Sequence, residues 1–129
     1  PIRIGDRTNV QDLCMIHVNP GSPITIGNDV TIGHSVTLHG CTIKDRVMIG
    51  MASTILNDSV ISENSIVAAG SLVTERKKFP PGVMIMGSPA RVVRELTEEE
   101  IASLPQVAQH YIEIAGEYKE SEPVSDSEK

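Results

Sequence analysis

The chain has 129 residues, 40% apolar but only 2% aromatic, and a formal net charge of −6. That is the length of one domain, with enough aliphatic material for a packed core. An acidic, ring-poor chain lacks the basic footprint and the stacking platform of a nucleic-acid binder; no apolar run is long enough for a membrane span, and no signal-peptide pattern is present.

A repeat dominates the first two thirds. Ile4, Val10, Ile16, Ile26, Ile32, Leu38, Ile43, Ile49, Ile55, Ile61, Val67 and Val73 follow one another at steps that are nearly all six residues. Glycine often comes next, as at Gly5, Gly27, Gly33 and Gly50, and a small or β-branched residue stands four positions on: Thr8, Cys14, Val30, Val36, Ser53, Ser59, Ser65 and Ser71. A helix needs steps of three and four, so one long helix is excluded, and plain alternation does not account for the fixed Gly and Ser slots.

One inward aliphatic and one small corner residue every six positions resemble the hexapeptide repeat of left-handed parallel β-helices. The resemblance covers roughly residues 1–95. It implies a mainly β fold in which three hexapeptides make one triangular coil, with four coils starting at Ile4, Ile26, Ile43 and Ile61. Two steps are irregular. Ile16 to Ile26 spans ten residues, so four extra residues loop out around Asn19-Pro20-Gly21-Ser22-Pro23. Leu38 to Ile43 spans five, a one-residue deletion at a corner.

After Val73 the pattern decays into a basic loop through Glu75-Arg76-Lys77-Lys78-Phe79-Pro80-Pro81-Gly82, read as a solvated turn. Val83 to Met86 and Gly87-Ser88-Pro89-Ala90 read as a last partial coil and exit turn. Thr97-Glu98-Glu99-Glu100 is a capping box, followed by an apolar stripe of Ile101, Leu104, Ala108, Tyr111, Ala115 and Tyr118. Pro105 predicts a short helix, a bend, and a longer helix to about Tyr118. The expected organisation is a β-helix over 1–95, a C-terminal helix packed along it over 96–118, and a disordered tail over 119–129.

His17 and His39 each follow the third aliphatic of successive coils. Stacked parallel strands lie roughly 4.8 Å apart, so the two should sit one above the other, pointing outward, and can share one zinc. His34 belongs to the second hexapeptide of its coil, near another corner. One side of the triangle spans roughly 16 Å at about 3.3 Å per residue, so His34 meets the other two only if a neighbouring copy presents it. A closed threefold ring would pair His17 and His39 of one subunit with His34 of the next. His110, in the helix, reads as a surface residue.

Gly5-Asp6-Arg7-Thr8-Asn9-Val10-Gln11-Asp12, His17, Gly33-His34, Leu38-His39-Gly40-Cys41, Ile49-Gly50-Met51 and the stretch Gly87-Ser88-Pro89-Ala90-Arg91-Val92-Val93-Arg94-Glu95-Leu96 are similar to the gamma-class carbonic anhydrases and their homologues. The resemblance implies a homotrimer binding Zn2+, or Fe2+ or Co2+, through His17, His34 and His39 at its interfaces. It implies reversible hydration of carbon dioxide to bicarbonate by metal-bound hydroxide. It assigns Gln11 to the glutamine beside the metal-bound solvent, and register puts Gln11 in the same subunit as His34. It likens Tyr111 to a helix tyrosine that approaches the metal in some homologues.

Two departures accompany the resemblance. Val18-Asn19-Pro20-Gly21-Ser22-Pro23-Ile24, after His17, carries no carboxylate where the best-characterised members have a proton-shuttle glutamate. Nothing corresponds to the family arginine that pairs across the interface with an aspartate matching Asp12, and one or two further coils, or another chain, are expected to cover the first coil. The alternatives are a hexapeptide acyltransferase of the same fold, with one catalytic histidine and a coenzyme A groove, or a metal-binding or assembly subunit with little turnover. Cys14 and Cys41 match no zinc or Cys-x-x-Cys spacing and read as small buried core residues of a cytoplasmic protein.

Overall fold

The computed structural model of the chain describes residues 1–120. Coil one comprises β1 (Ile2–Ile4), β2 (Asn9–Val10) and β3 (Met15–His17). Coil two comprises β4 (Ile24–Ile26), β5 (Thr31–Ile32) and β6 (Thr37–His39). Coil three comprises β7 (Thr42–Ile43), β8 (Val47–Ile49) and β9 (Thr54–Ile55), and coil four β10 (Val60–Ile61), β11 (Ser65–Val67) and β12 (Leu72–Val73). A hairpin of β13 (Val83–Gly87) and β14 (Ala90–Glu95) follows, then α1 (Glu98–Glu120). The fold is a left-handed parallel β-helix with one C-terminal helix.

The three faces are parallel sheets in the orders β1-β4-β7-β10, β2-β5-β8-β11-β13 and β3-β6-β9-β12, with β14 added antiparallel beyond β13. Register stacks the repeat aliphatics into three columns: Ile4, Ile26, Ile43, Ile61; Val10, Ile32, Ile49, Val67, Ile85; and Ile16, Leu38, Ile55, Val73. From Ile26 on, these side chains form the buried core. Ile2, Ile4 and Val10 are 47%, 48% and 38% exposed, because no coil among the described residues stacks on their outer side. Cys41 is buried as expected, whereas Cys14, in that first coil, is only half-buried.

The corners refine the repeat. A left-handed residue recurs at Arg7, Leu13, Asp29, Ser35, Arg46, Ala52, Asp58, Asn64 and Arg76, and glycine takes the same role at Gly40, Gly70 and Gly82. These turn residues stand three positions after the inward aliphatic, except at Gly40. The small residues read as corners lie one position later and point inward: Ser53, Ser59 and Ser65 are fully buried. Just past a tight corner there is room only for a short side chain. Its hydroxyl then closes onto a corner carbonyl, as in Ser59 Oγ to Leu56 O and Ser71 Oγ to Ala68 O, each 2.6 Å.

Three sequence expectations change. The basic stretch after Val73 continues the coil: Phe79 occupies the next inward position, 9% exposed, and Lys78 bridges to Val60 in parallel. The arginine and lysines occupy or flank the outward corner at Arg76, which is why the charge run hid the period. The segment from Val83 forms the expected last partial coil on β11 and turns at Ser88-Pro89, but the turn reverses the chain into β14, a hairpin strand the sequence reading did not include. Finally, α1 runs unbroken through Pro105. Proline there removes one backbone donor, while buried Leu104 and Ala108 dock the turns on either side. Ser103 bonds back to Glu100 O at 2.6 Å instead of starting a second helix.

The capping box forms as expected. Glu100 N–H donates to Thr97 Oγ1 at 3.1 Å, and Thr97 N–H donates to Glu100 Oε1 at 2.9 Å. Arg94 grips the same carboxylate with two bonds of 2.7 and 2.9 Å. The helix then crosses the second face, where Tyr111, Ile114 and Ala115 meet the region of β2. It includes Lys119 and Glu120, the first two residues of the expected tail. Residues 121–129, and the Tyr118 side chain assigned to the stripe, lie outside what the structure describes.

Candidate metal centre and active-site cleft

His17 ends β3 and His39 ends β6, and the parallel register pairs them directly. Their ring centroids are 5.0 Å apart with planes inclined at 48°. His17 Nδ1 and His39 Nε2 approach to 3.1 Å. Two nitrogens bound to one tetrahedral zinc at about 2.0–2.1 Å lie roughly 3.3 Å apart. The pair is therefore spaced for a shared cation, and both donors are the imidazole nitrogens that suit zinc, iron or cobalt. His39 Nδ1 also meets Asn57 Oδ1 at 2.6 Å.

His34 is exposed on the second face, away from this pair. It lines a cleft of about 310 Å³ together with Asn9, Gln11, Asp12 and Tyr111. Among the described residues, no three His, Cys, Asp or Glu side chains come together as a metal cluster. One copy of the chain thus offers two imidazoles at one corner and a third, separate imidazole beside Gln11.

Gln11 is held from its own strand: its Nε2 donates to Asn9 Oδ1 at 3.2 Å, and Asn9 Nδ2 donates to Thr31 Oγ1 at 3.2 Å on the next coil. Below Gln11 the column continues through Gly33 and Gly50. A Cβ at Gly33 would stand 2.8 Å from Met51 N, so only glycine fits there. The missing side chains leave a second recess of about 200 Å³ under Gln11 and Tyr111, floored by Met48, Ile49 and Met51. Tyr111 and Gln11 border both spaces, so the geometry unites His34, Gln11 and Tyr111 and keeps His17 and His39 apart from them. His110 is exposed, its ring 5.6 Å from that of Tyr111.

Sequence reasoning missed Asn9 and Asn57. Asn9 carried a signal, standing two residues before Gln11 and so on the same side of an extended strand. Asn57 carried a subtler one, in the five-residue step at Leu38–Ile43.

A parallel β-helix of six-residue repeats, with a helix along one face and paired histidines at a corner, defines a hexapeptide-repeat protein. No known family profile matches the chain. Among characterised proteins it is 42% identical over 120 residues to gamma carbonic anhydrase 1, mitochondrial, of Arabidopsis thaliana, covering 88% of this chain and 44% of that protein. It is 48% identical over 114 residues to a protein of Methanocaldococcus jannaschii named "Probable carbonic anhydrase", covering 88% of this chain and 72% of that one. The crystal structure of a hexapeptide transferase family protein from Anaplasma phagocytophilum superposes with a TM-score of 0.85 at 40% identity, covering 89% of this chain and 68% of that one. The chain belongs to the gamma carbonic anhydrase-like family. It spans less than half the length of the plant relative.

Proposed function

We propose that this chain acts as a metal-dependent carbonic anhydrase-like enzyme, interconverting carbon dioxide and bicarbonate at the interfaces of a homotrimer in the cytoplasm. The observation that carries the reading is the 3.1 Å His17–His39 nitrogen pair on one corner, with His34 beside Gln11 and Tyr111 on another. His17 and His39 of one subunit and His34 of the next would hold Zn2+, or Fe2+ or Co2+. Held by these three imidazoles, a divalent cation would supply the Lewis acidity that brings the pKa of water to about 7.

The chain's own groups do the rest. Gln11, fixed through Asn9, offers an amide at the mouth of the cleft to orient the attacking oxygen or the substrate. The apolar recess over Gly33 and Gly50 accepts a small uncharged molecule and excludes water. Tyr111 lines the same cleft, and its hydroxyl would relay a proton in place of the carboxylate that the loop after His17 lacks.

Stopped-flow carbon dioxide hydration by zinc-loaded and iron-loaded protein tests the reading. Metal-dependent turnover abolished by His39→Ala is the expected result. Stoichiometric metal without turnover would instead make the chain a binding or assembly subunit. No metal, with coenzyme A binding, would favour the acyltransferase reading that the transferase-named structural relative raises.

A further inference from the structure

The five-residue corner after Leu38 has a structural consequence at His39. In coil three, Ile55 is followed by Leu56, Asn57 and the left-handed Asp58; in coil four, Val73 is followed by Thr74, Glu75 and the left-handed Arg76. In coil two, Leu38 is followed by His39 and immediately by the left-handed Gly40. Arg76 N–H donates to Asn57 O, the residue before the left-handed Asp58, whereas Asp58 N–H donates to the left-handed Gly40 itself, so the shortened corner shifts the ladder by one residue. Between the paired Leu38–Ile55 and Thr42–Val60, coil two is thus one residue shorter than coil three. At this shortened corner the Asn57 Oδ1 reaches His39 Nδ1 at 2.6 Å. Gly40 leaves room for this contact, because a Cβ there would collide with Asn57 Oδ1 and stand 2.8 Å from Ser22 Cβ.

We infer that Asn57 is a positioning residue for the metal site, holding His39 in the tautomer that carries its proton on Nδ1 and leaves Nε2 free to ligate. An amide oxygen only accepts, so the proton of this bond belongs to His39 Nδ1. The Nε2 lone pair then faces His17, the side on which a shared cation would sit. A fixed partner on the second ring nitrogen sets the tautomer and orientation of a ligating histidine. The inference rests on the metal-centre reading for its purpose, but its first observable requires neither metal nor turnover.

The experiment uses the full chain labelled with 15N-histidine. In the metal-free wild type, long-range 1H–15N correlation should show His39 as the Nδ1–H tautomer. Asn57→Ala should give mixed tautomers and weaken zinc binding, read by chelator competition, about 10- to 100-fold. Asn57→Asp retains an acceptor and should restore both readouts. A wild-type His39 protonated on Nε2 overturns the inference outright, even if the variants fail to fold. Unchanged tautomer and affinity in Asn57→Ala overturn it, as does equal loss in Asn57→Ala and Asn57→Asp, which would mark a purely structural role. Wild-type protein that binds no zinc overturns this inference and the metal reading together. Tight zinc with the expected tautomer but no carbon dioxide hydration overturns the enzymatic reading alone.

Discussion

Replacing Ile49 with alanine tests how the coils hold one another. Ile49 is fully buried, stacked between Ile32 on the coil above and Val67 on the coil below. The change removes three carbons, worth roughly 2.4 kcal/mol at about 0.8 per methylene. Neighbours pinned in parallel ladders collapse little, so a cavity contribution brings the expected loss to about 3–5 kcal/mol. Ile4 occupies the equivalent inward slot of another column but is 48% exposed. Ile4→Ala should therefore cost about half the transfer term, roughly 1 kcal/mol, with no closed cavity. Urea unfolding followed by far-ultraviolet circular dichroism reads both. At an m-value of about 2 kcal/mol/M, the midpoints of the two variants should differ by roughly 1–2 M. Equal losses would refute the reasoning, because burial by stacking would then not set the stability of each coil.

Glu100→Gln should weaken helix docking near neutral pH and matter progressively less in acid. Bonds from Arg94 and from the Thr97 backbone lower the Glu100 carboxyl from 4.5 to about 2, so its contribution is complete above about 4.5 and is lost as pH falls toward 2. Unfolding midpoints of the two proteins compared from pH 6 to pH 2 should converge, and a constant gap would contradict this. Burial pushes the Cys41 thiol up to about 12, so alkylation of native protein at pH 8 should modify half-buried Cys14 and reach Cys41 only in denaturant. Rapid labelling of both thiols in the native state would count against the buried corner. Gln11→Ala should retain zinc and lower hydration on the order of 10²-fold, whereas loss of zinc would show that Gln11 supports the site itself.

The coils were legible because stacking imposes a strict period: an aliphatic that misses its slot leaves the column, so Ile26 through Val73 announced the core. The histidine pair was legible for the same reason, since register alone puts His17 over His39. What register does not fix stayed hidden. The fifth coil was obscured because Phe79 replaces an aliphatic and Lys77-Lys78 crowd the outward side. The unbroken helix depends on Leu104 and Ala108 docking around Pro105, a tertiary effect that local propensity does not contain. The Asn57–His39 bond depends on how the shortened corner of coil two sits against coil three, visible only once the coils are stacked in space.

The central claim is a metal centre completed between subunits, and subunit mixing tests it most directly. His17→Ala and His34→Ala proteins are each prepared, shown to bind no zinc, then unfolded together and reassembled. An interface is intact when the His34→Ala chain supplies His17 and His39 and the His17→Ala chain supplies His34. Random assembly of a closed ring makes that true of about one interface in four. The account predicts zinc at about a quarter of the wild-type stoichiometry in the mixture and none in either parent. Mixed assemblies that bind no zinc would contradict it.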